Sequence, residues 1–187
     1  LLHDLAPKKI AWMGRQTKKY LTKKFKLNKK RFILCPSLRY EELFKKLKRK
    51  RNRKIKKILI ALPISYQDSE DIINTFSKFI KKYKFKNFQF FINYHPMLNF
   101  EKLMKKNNDL NKKYVLFKDS FSQKYYNFDC IISNTSSICL ESIALATPVI
   151  IIENSKSITQ NPISIVKKDI WRLVKNEKEL EKSLTDL

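Results

Sequence analysis

The clearest chemical pattern in this sequence lies in residues 129–152. An apolar run is followed by a polar stretch, a segment with helical spacing and a second apolar run. A turn of this kind directs backbone N–H groups and hydroxyls toward the start of a helix, which is a common place for a phosphate. A capped helix without a ligand is the competing interpretation. The candidate phosphate- or nucleotide-binding residues are Ser133, Asn134, Thr135, Ser136 and Ser137.

Two further residues could take part in chemistry beside that polar stretch. Glu141 follows Ser137 by four residues and shares its helix face, where a carboxylate could accept hydrogen bonds from a ribose diol. A glutamate that faces solvent is the alternative. His95 precedes Pro96, and proline biases the residue before it toward extended backbone. An imidazole held in this way could donate to a phosphate or act as a general acid, so His95 is the candidate catalytic residue.

Other chemistry-bearing residues predict structure rather than catalysis. The acidic cluster at residues 68–71 is expected to cap a helix, and contact with a substrate is the alternative. Cys35, Cys130 and Cys139 have no C-x-x-C spacing, which predicts reduced thiols. No spacing of histidines, cysteines and carboxylates predicts a metal site.

The elements that must position these residues alternate between strand and helix. Apolar runs predict strands at 58–62, 88–93, 114–117, 129–133, 148–152 and 163–166. Helical spacing predicts helices at 68–83, 100–110, 121–126, 135–146 and 177–184. The alternation is typical of an α/β domain, with a Rossmann-like, mostly parallel sheet and helices on both faces. Ligands of such sheets bind beyond the carboxyl ends of the strands, so we expect His95 and the polar stretch on one rim.

A smaller αβ unit is predicted ahead of this domain. It has a strand at 9–13, a helix at 15–25 and a strand at 31–35, followed by helical turns at 40–47. Residues 45–57 are almost wholly basic, which favours a solvated linker over a binding patch. The predicted organisation is the end of one domain at 1–44, a basic linker at 45–56 and a second domain at 57–187.

The composition excludes some classes of protein and leaves others open. The net charge of +24 favours polyanions or an anionic membrane surface, although a lysine-rich composition alone would also produce it. The only glycine is Gly14, which excludes the dinucleotide fingerprint and the Walker loop, since both need several glycines. The aromatic residues follow core spacing and no RNP motif is present, so nucleic acid is not the favoured partner.

Together these residues resemble the C-terminal half of GT-B glycosyltransferases and their relatives in bacterial surface-polysaccharide synthesis. The resemblance is carried by the pattern Ser133-x-Thr135-Ser136-x4-Glu141-x2-Ala144-x3-Pro148-Val149. It implies that Ser136 and Ser137 hold the phosphate of the donor and that Glu141 holds the ribose. Tyr94-His95-Pro96 is similar to the His-Pro motif of bacterial sialyltransferases and polysialyltransferases, in which the histidine meets the donor phosphate.

The smaller unit resembles the last αβ unit of the family's N-terminal domain. Two features depart from the family. Ala146-Thr147 stands where a glycine-containing pair usually precedes Pro-Val, and nothing matches the acidic motif that supplies the catalytic base of sialyltransferases. The resemblance therefore implies a transferase whose site is incomplete in this fragment.

The function implied by the resemblance is transfer of a sugar from a nucleotide-activated donor to a surface glycan or lipid-linked acceptor. No cofactor is expected beyond the nucleotide-sugar, which is a substrate. We expect a cytoplasmic protein that rests on the anionic inner membrane through its basic surface. One alternative is a nucleotide-sugar epimerase of the same fold, which would need more carboxylates in the cleft between the domains. The other is a nucleic-acid-binding module that uses residues 45–57.

Overall fold

A computed structural model describes residues 7–26, 28–36, 55–110, 113–118, 128–156, 158–164 and 166–186. The chain divides into two compact units, Leu1–Lys45 and Lys46–Leu187. The helical turns predicted at 40–47 and 121–126 lie outside the described residues, as does most of the predicted linker at 45–56. The linker and the domain limits therefore stay predictions.

The smaller unit is a parallel strand–helix–strand crossover. Strands β1 (Ile10–Met13) and β2 (Phe32–Cys35) pair in parallel, and helix α1 (Arg15–Lys24) connects them. Gly14 joins β1 to α1 with a φ of 86°, a backbone conformation that glycine adopts without steric cost. Its carbonyl accepts a hydrogen bond from the N–H of Lys18 at 3.2 Å. The only glycine of the chain therefore allows the sharp turn from strand into helix.

The larger unit is built on a parallel sheet with six described strands. Their order across the sheet is β5-β4-β3-β6-β7-β8, and every pairing is parallel. The strands are β3 (Lys56–Leu62), β4 (Phe88–Tyr94), β5 (Val115–Leu116), β6 (Cys130–Ser133), β7 (Val149–Ile152) and β8 (Trp171–Val174). The chain adds β4 and β5 on one side of β3 and then returns to add β6 on the other. Open α/β sheets bind ligands at such a switch point.

Helices cover both faces of this sheet. They are α2 (Tyr66–Lys82), α3 (Phe100–Lys105), α4 (Ile138–Ala144) and α5 (Glu177–Thr185), with a 3-10 turn at Asn108–Leu110. Residues of α2, α3 and α5 share one core cluster with Ile58 and Ile60. Leu59 and Ile131 alternate with these residues along their strands, so they belong to the other face of the sheet, and they are fully buried outside that cluster. Helix α4 packs against β6 and β7. The predicted fold class is confirmed. None of the described helices is long and apolar enough to cross a membrane.

Several predicted elements differ from the structure. Residues 162–164 form a turn in place of a strand at 163–166, because the side chain of Asn161 accepts a hydrogen bond from the N–H of Ile163 at 2.9 Å. The last described strand is β8, in which Arg172 interrupts the apolar run, so the sequence pattern does not predict this strand. Helix α4 begins at Ile138, three residues later than the predicted start.

Helix α4 ends at a residue in the left-handed conformation. Ala146 has a φ of 52°. Its N–H donates to the carbonyl of Ile143 at 2.9 Å, and the N–H of Thr147 donates to the carbonyl of Ser142 at 2.8 Å. These are the two hydrogen bonds of a Schellman motif, whose left-handed position usually holds glycine. A glycine at this position would adopt the same conformation without the steric cost that Ala146 bears.

We expect Ala146→Gly to raise the free energy of unfolding by about 0.5–1 kcal/mol, since glycine removes the left-handed penalty and loses part of that gain to backbone entropy. Urea denaturation measures the change. The matched control is Ala144→Gly, whose site is helical, and it should lower the free energy of unfolding by about 0.5–1 kcal/mol. Equal destabilisation by both changes would contradict the left-handed role of Ala146.

Candidate functional site

The carboxyl ends of three adjacent strands bring the predicted site residues to one rim. Strand β3 lies between β4, which leads to His95, and β6, which leads to the polar stretch. Strands spaced about 4.8 Å apart place these two exits about 10 Å from each other. The N–H of His95 donates to the carbonyl of Leu62 at 3.1 Å, and Ser133 Oγ donates to the carbonyl of Ala61 at 2.7 Å. Both exits are thus attached to the end of β3.

Two of the candidate ligands have internal roles. Ser133 and Asn134 are fully buried. The hydroxyl of Ser133 is engaged with β3, as described above. The amide of Asn134 donates to the carbonyl of Asp68 at 3.3 Å and to Asn154 Oδ1 at 3.0 Å, while its Oδ1 accepts from the N–H of Thr135 at 2.6 Å. These side chains therefore support the turn from inside, in contrast with the ligand contacts predicted for them.

Asp68 links the start of α2 to the exits of β6 and β7. Its Oδ2 accepts from Thr135 Oγ1 at 3.1 Å, and its Oδ1 accepts from Asn154 Nδ2 at 3.1 Å. Ser155, beside Asn154, donates through its hydroxyl to Asp71 at 2.6 Å and through its N–H at 3.1 Å. The polar contacts of Asp68, Asp71, Asn134, Thr135, Asn154 and Ser155 are called the rim network below.

The predicted capping role of the acidic cluster is therefore wrong for Asp68 and Asp71. Helix α2 begins at Tyr66, two residues earlier than expected, and its cap is Ser65. Ser65 Oγ accepts from the N–H of Asp68 at 3.3 Å. Because the cap is already supplied, the carboxylates of Asp68 and Asp71 are available to the neighbouring loops. The hydroxyl of Thr135 donates to Asp68, and Thr135 lies two residues before the N-cap of α4, so it does not cap that helix.

Ser136 and Ser137 are the hydroxyl residues that stay accessible at the rim. Ser137 is exposed and occupies the N-cap of α4, but its side chain makes no capping hydrogen bond. Ser136 is half-buried, and its Oγ accepts from the N–H of Ile138 at 3.4 Å. Accepting a hydrogen bond leaves a hydroxyl hydrogen free to donate. Both serines can therefore donate to an anion.

Glu141 lies inside the protein, with 4% of its surface exposed. The solvent-facing alternative is therefore wrong. A charged carboxylate is rarely buried without hydrogen-bonded partners, because loss of water penalises its charged form. Its N–H donates to the carbonyl of Ser137 at 3.3 Å, which places Glu141 one helical turn below the accessible serine.

His95 is exposed and has a defined donor nitrogen. Its Nδ1 accepts from the N–H of Met97 at 3.2 Å, so the neutral ring carries its hydrogen on Nε2. The neighbouring Tyr94 ring stacks on Phe100 at 4.4 Å with 3° between the planes, and Leu98 is buried. These contacts hold the loop while leaving Nε2 available to a ligand.

The three central exit loops of the rim offer neutral donors rather than fixed positive charge. The exit loops of β3, β4 and β6, at residues 63–65, 95–99 and 134–137, contain no lysine or arginine. Burial raises the pKa of the Cys139 thiol to about 12 and also raises the pKa of Cys130, so neither supplies a thiolate at neutral pH. Within the described ranges, no group of three or more histidines, cysteines or carboxylates could hold a metal ion.

Sequence reasoning missed Asn154 and Ser155 as parts of this rim. They follow the apolar run of β7 in the same way that Asn134 and Thr135 follow β6. Small polar residues directly after a buried parallel strand were therefore a usable signal at both positions.

No protein-family model and no curated protein matches this chain. Solved structures do match it. UDP-GlcNAc 2-epimerase from Neisseria meningitidis, solved with bound UDP-GlcNAc, is 17% identical with a TM-score of 0.59, over 92% of this chain and 50% of that one. WaaG, a glycosyltransferase involved in lipopolysaccharide biosynthesis, is 14% identical with a TM-score of 0.54, over 95% and 53%.

A third match is limited to one domain. The C-terminal domain of the group 1 glycosyl transferase LpcC from Francisella tularensis is 18% identical with a TM-score of 0.53, over 77% of this chain and 86% of that one. This chain spans about half the length of the first two structures. At these identities the likeness shows the fold, which is that of the C-terminal domain of GT-B enzymes.

Removal of a rim hydroxyl should lower the free energy of unfolding only where that hydroxyl has a partner inside the protein. We expect Thr135→Val to lower the free energy of unfolding by about 1–3 kcal/mol, since it removes a hydrogen bond to a carboxylate. Ser137→Ala, the matched control, should change it by less than about 0.5 kcal/mol because its hydroxyl has no capping bond. Urea denaturation compares the two. Similar losses from both variants would contradict this expectation.

Proposed function

We propose that this chain is the nucleotide-sugar-binding half of a GT-B-type glycosyltransferase that acts on a surface glycan or lipid-linked acceptor. The observation that carries the proposal is the placement of the Nε2 of His95 and the hydroxyls of Ser136 and Ser137 on the two strand exits that flank β3. A nucleotide diphosphate needs several hydrogen-bond donors from different loops, and the placement of these donors on two loops of the switch point supports the proposal.

Each of the four candidate residues then has a distinct task. Ser136 and Ser137 bind the phosphates of the donor through their hydroxyls. His95 donates from Nε2 to the phosphate that departs with the nucleotide, so that negative charge is stabilised as the sugar bond breaks. Glu141 accepts hydrogen bonds from the ribose diol. The rim network keeps these groups in place without contacting the ligand.

The role of His95 predicts a graded loss of nucleotide affinity. Calorimetric titration with CMP, CDP, UDP, GDP and their sugars should identify a nucleotide that binds. His95→Ala should then weaken its binding about 10- to 100-fold, the value of one hydrogen bond to a charged group, whereas His95→Gln should retain more affinity because its amide can donate from a similar position. Met97→Ala is the control, since that side chain is 78% exposed on the same loop.

Absence of binding by every nucleotide at millimolar concentration would remove the main support for a transferase. Binding that is insensitive to His95→Ala would place the site elsewhere on the same fold.

The role of Glu141 predicts a loss of selectivity for ribose. Wild type should bind the preferred nucleotide more tightly than its 2′-deoxy form, because a carboxylate pairs with the diol. Glu141→Gln keeps the size of the side chain but removes its charge, so it should narrow that difference by about 3- to 10-fold. Thermal melting without nucleotide checks that the variant stays folded. An unchanged ratio in a folded variant would contradict ribose recognition by Glu141.

A nucleotide-sugar epimerase is the second candidate. The likeness to a structure that contains UDP-GlcNAc favours it, and the carboxylate of Asp68 at the rim is one of the acidic groups that such chemistry needs. Inversion at C2 must break the C2–H bond, so incubation with UDP-GlcNAc in deuterated water without an acceptor should label that carbon. A transferase should leave C2 unlabelled and release nucleotide only when an acceptor is added. Proton NMR distinguishes the two results.

A further inference from the structure

The sheet edge opposite the candidate site carries a set of exposed lysines. Strands of a parallel sheet all enter at one edge, here called the amino edge. Lysines precede β4, β5 and β8 at this edge, and none of them forms a salt bridge with a carboxylate in the described part of the chain. The exposed amino-edge lysines are Lys84, Lys86, Lys113, Lys167 and Lys168.

Three lysines on the helices of the same unit are paired with carboxylates. Lys81 contacts Asp109 at 2.8 Å, Lys82 contacts Glu177 at 3.4 Å and Lys106 contacts Glu70 at 3.0 Å. At the opposite rim, the exit loops of the three central strands hold no lysine or arginine. Exposed lysines do occur at that edge, since Lys118 follows β5 and Lys156 follows β7. The amino-edge lysines differ in that they lie away from the candidate phosphate site.

The turn before β4 holds its lysines outward. In residues 83–87, aromatic residues alternate with lysines, and the Phe85 ring stacks on buried Phe79 at 4.1 Å. Lys84 and Lys86 are left exposed on either side of Phe85. Packing of the aromatic ring therefore fixes the backbone from which the two lysines project. Because they are already held apart from acidic partners, a negative surface can approach them with little rearrangement.

Exposed apolar side chains accompany these charges. Ile55, just before β3, is 52% exposed, and Val115, the first residue of β5, is 47% exposed. An edge of six strands extends for about 24 Å at the usual strand spacing. The lysines lie toward both ends of it, before β5 and β4 on one side and before β8 on the other. The amino edge is therefore a broad basic surface with apolar side chains between its charges.

We infer that the amino edge docks on an anionic phospholipid bilayer. Lysine is a compact point charge that suits a diffuse layer of headgroups, and each one near such a surface contributes on the order of 1 kcal/mol. Exposed Ile55 and Val115 suit the boundary between headgroups and acyl chains. Docked in this way, the larger unit holds its candidate site at the opposite edge, about one strand length from the lipid.

A polynucleotide fits this surface less well. Proteins that bind single strands offer exposed aromatic platforms, whereas Phe85 packs against the core here. Arginine makes the commonest specific contact with bases, but the guanidinium of Arg172 at this edge donates to the carbonyls of Lys168 and Trp171. These observations favour the bilayer, and the inference does not depend on the proposed catalytic function.

Vesicle flotation tests the inference with two variants of equal net charge. The chain should float with phosphatidylcholine vesicles that contain phosphatidylglycerol and should stay behind with phosphatidylcholine alone. The double change Lys84→Gln and Lys86→Gln should weaken binding about 30-fold, since two lysines contribute about 1 kcal/mol each. The control changes Lys118→Gln and Lys156→Gln remove the same charge from exposed residues after β5 and β7, and should have little effect. Added salt should weaken wild-type binding.

A second pair, Lys167→Gln with Lys168→Gln, tests the other end of the edge and should also weaken binding. Circular dichroism melting confirms that each variant is folded. Equal weakening by the control pair would show that net charge alone is responsible and would overturn the inference. It would also be overturned by failure to bind phosphatidylglycerol vesicles, or by a single-stranded RNA that binds through the same lysines more tightly than the vesicles do.

Discussion

The hydrogen bonding of Asp68 is the interaction on which the candidate site depends. Parallel strands fix the spacing of their own ends, but the loops beyond them have no ladder of hydrogen bonds to hold them. Asp68 supplies that support, since one carboxylate oxygen binds Thr135 after β6 and the other binds Asn154 after β7. The loop that leads to Ser136 and Ser137 is thereby fixed relative to β3, the strand to which the His95 loop is also attached.

This support has an electrostatic consequence for any anion at the rim. Two unit charges 4 Å apart interact by about 4 kcal/mol at the effective dielectric of a protein surface, so a phosphate beside Asp68 would be repelled. Thr135 cannot donate to such a phosphate because its hydroxyl already donates to the carboxylate. Under the proposed function, a bound phosphate would therefore lie toward Ser137 and His95. The charge that orders the rim would then also limit where a nucleotide binds.

Local sequence patterns predict most of the fold but only part of the candidate site. Buried apolar runs predict five of the six described strands of the sheet, since a parallel strand covered on both faces needs little else. Ser133 and Ser137 are the same residue type within one short stretch, yet one faces β3 and the other faces solvent. That difference depends on where α4 begins. The partners of Asp68 lie 67 and 86 residues away, beyond the reach of a local pattern.

The distribution of charge is likewise beyond a local sequence pattern. The sequence states the excess of lysine but cannot say where it acts, and an excess spread evenly would mainly favour solubility. The sheet topology determines where the lysines lie, because residues that precede parallel strands all lie at one edge although they are distant in the chain. The larger unit thus has a basic edge and a rim of neutral donors beside buried carboxylates. An anionic surface and an anionic small molecule would meet opposite ends of one sheet, where neither competes for the contacts of the other.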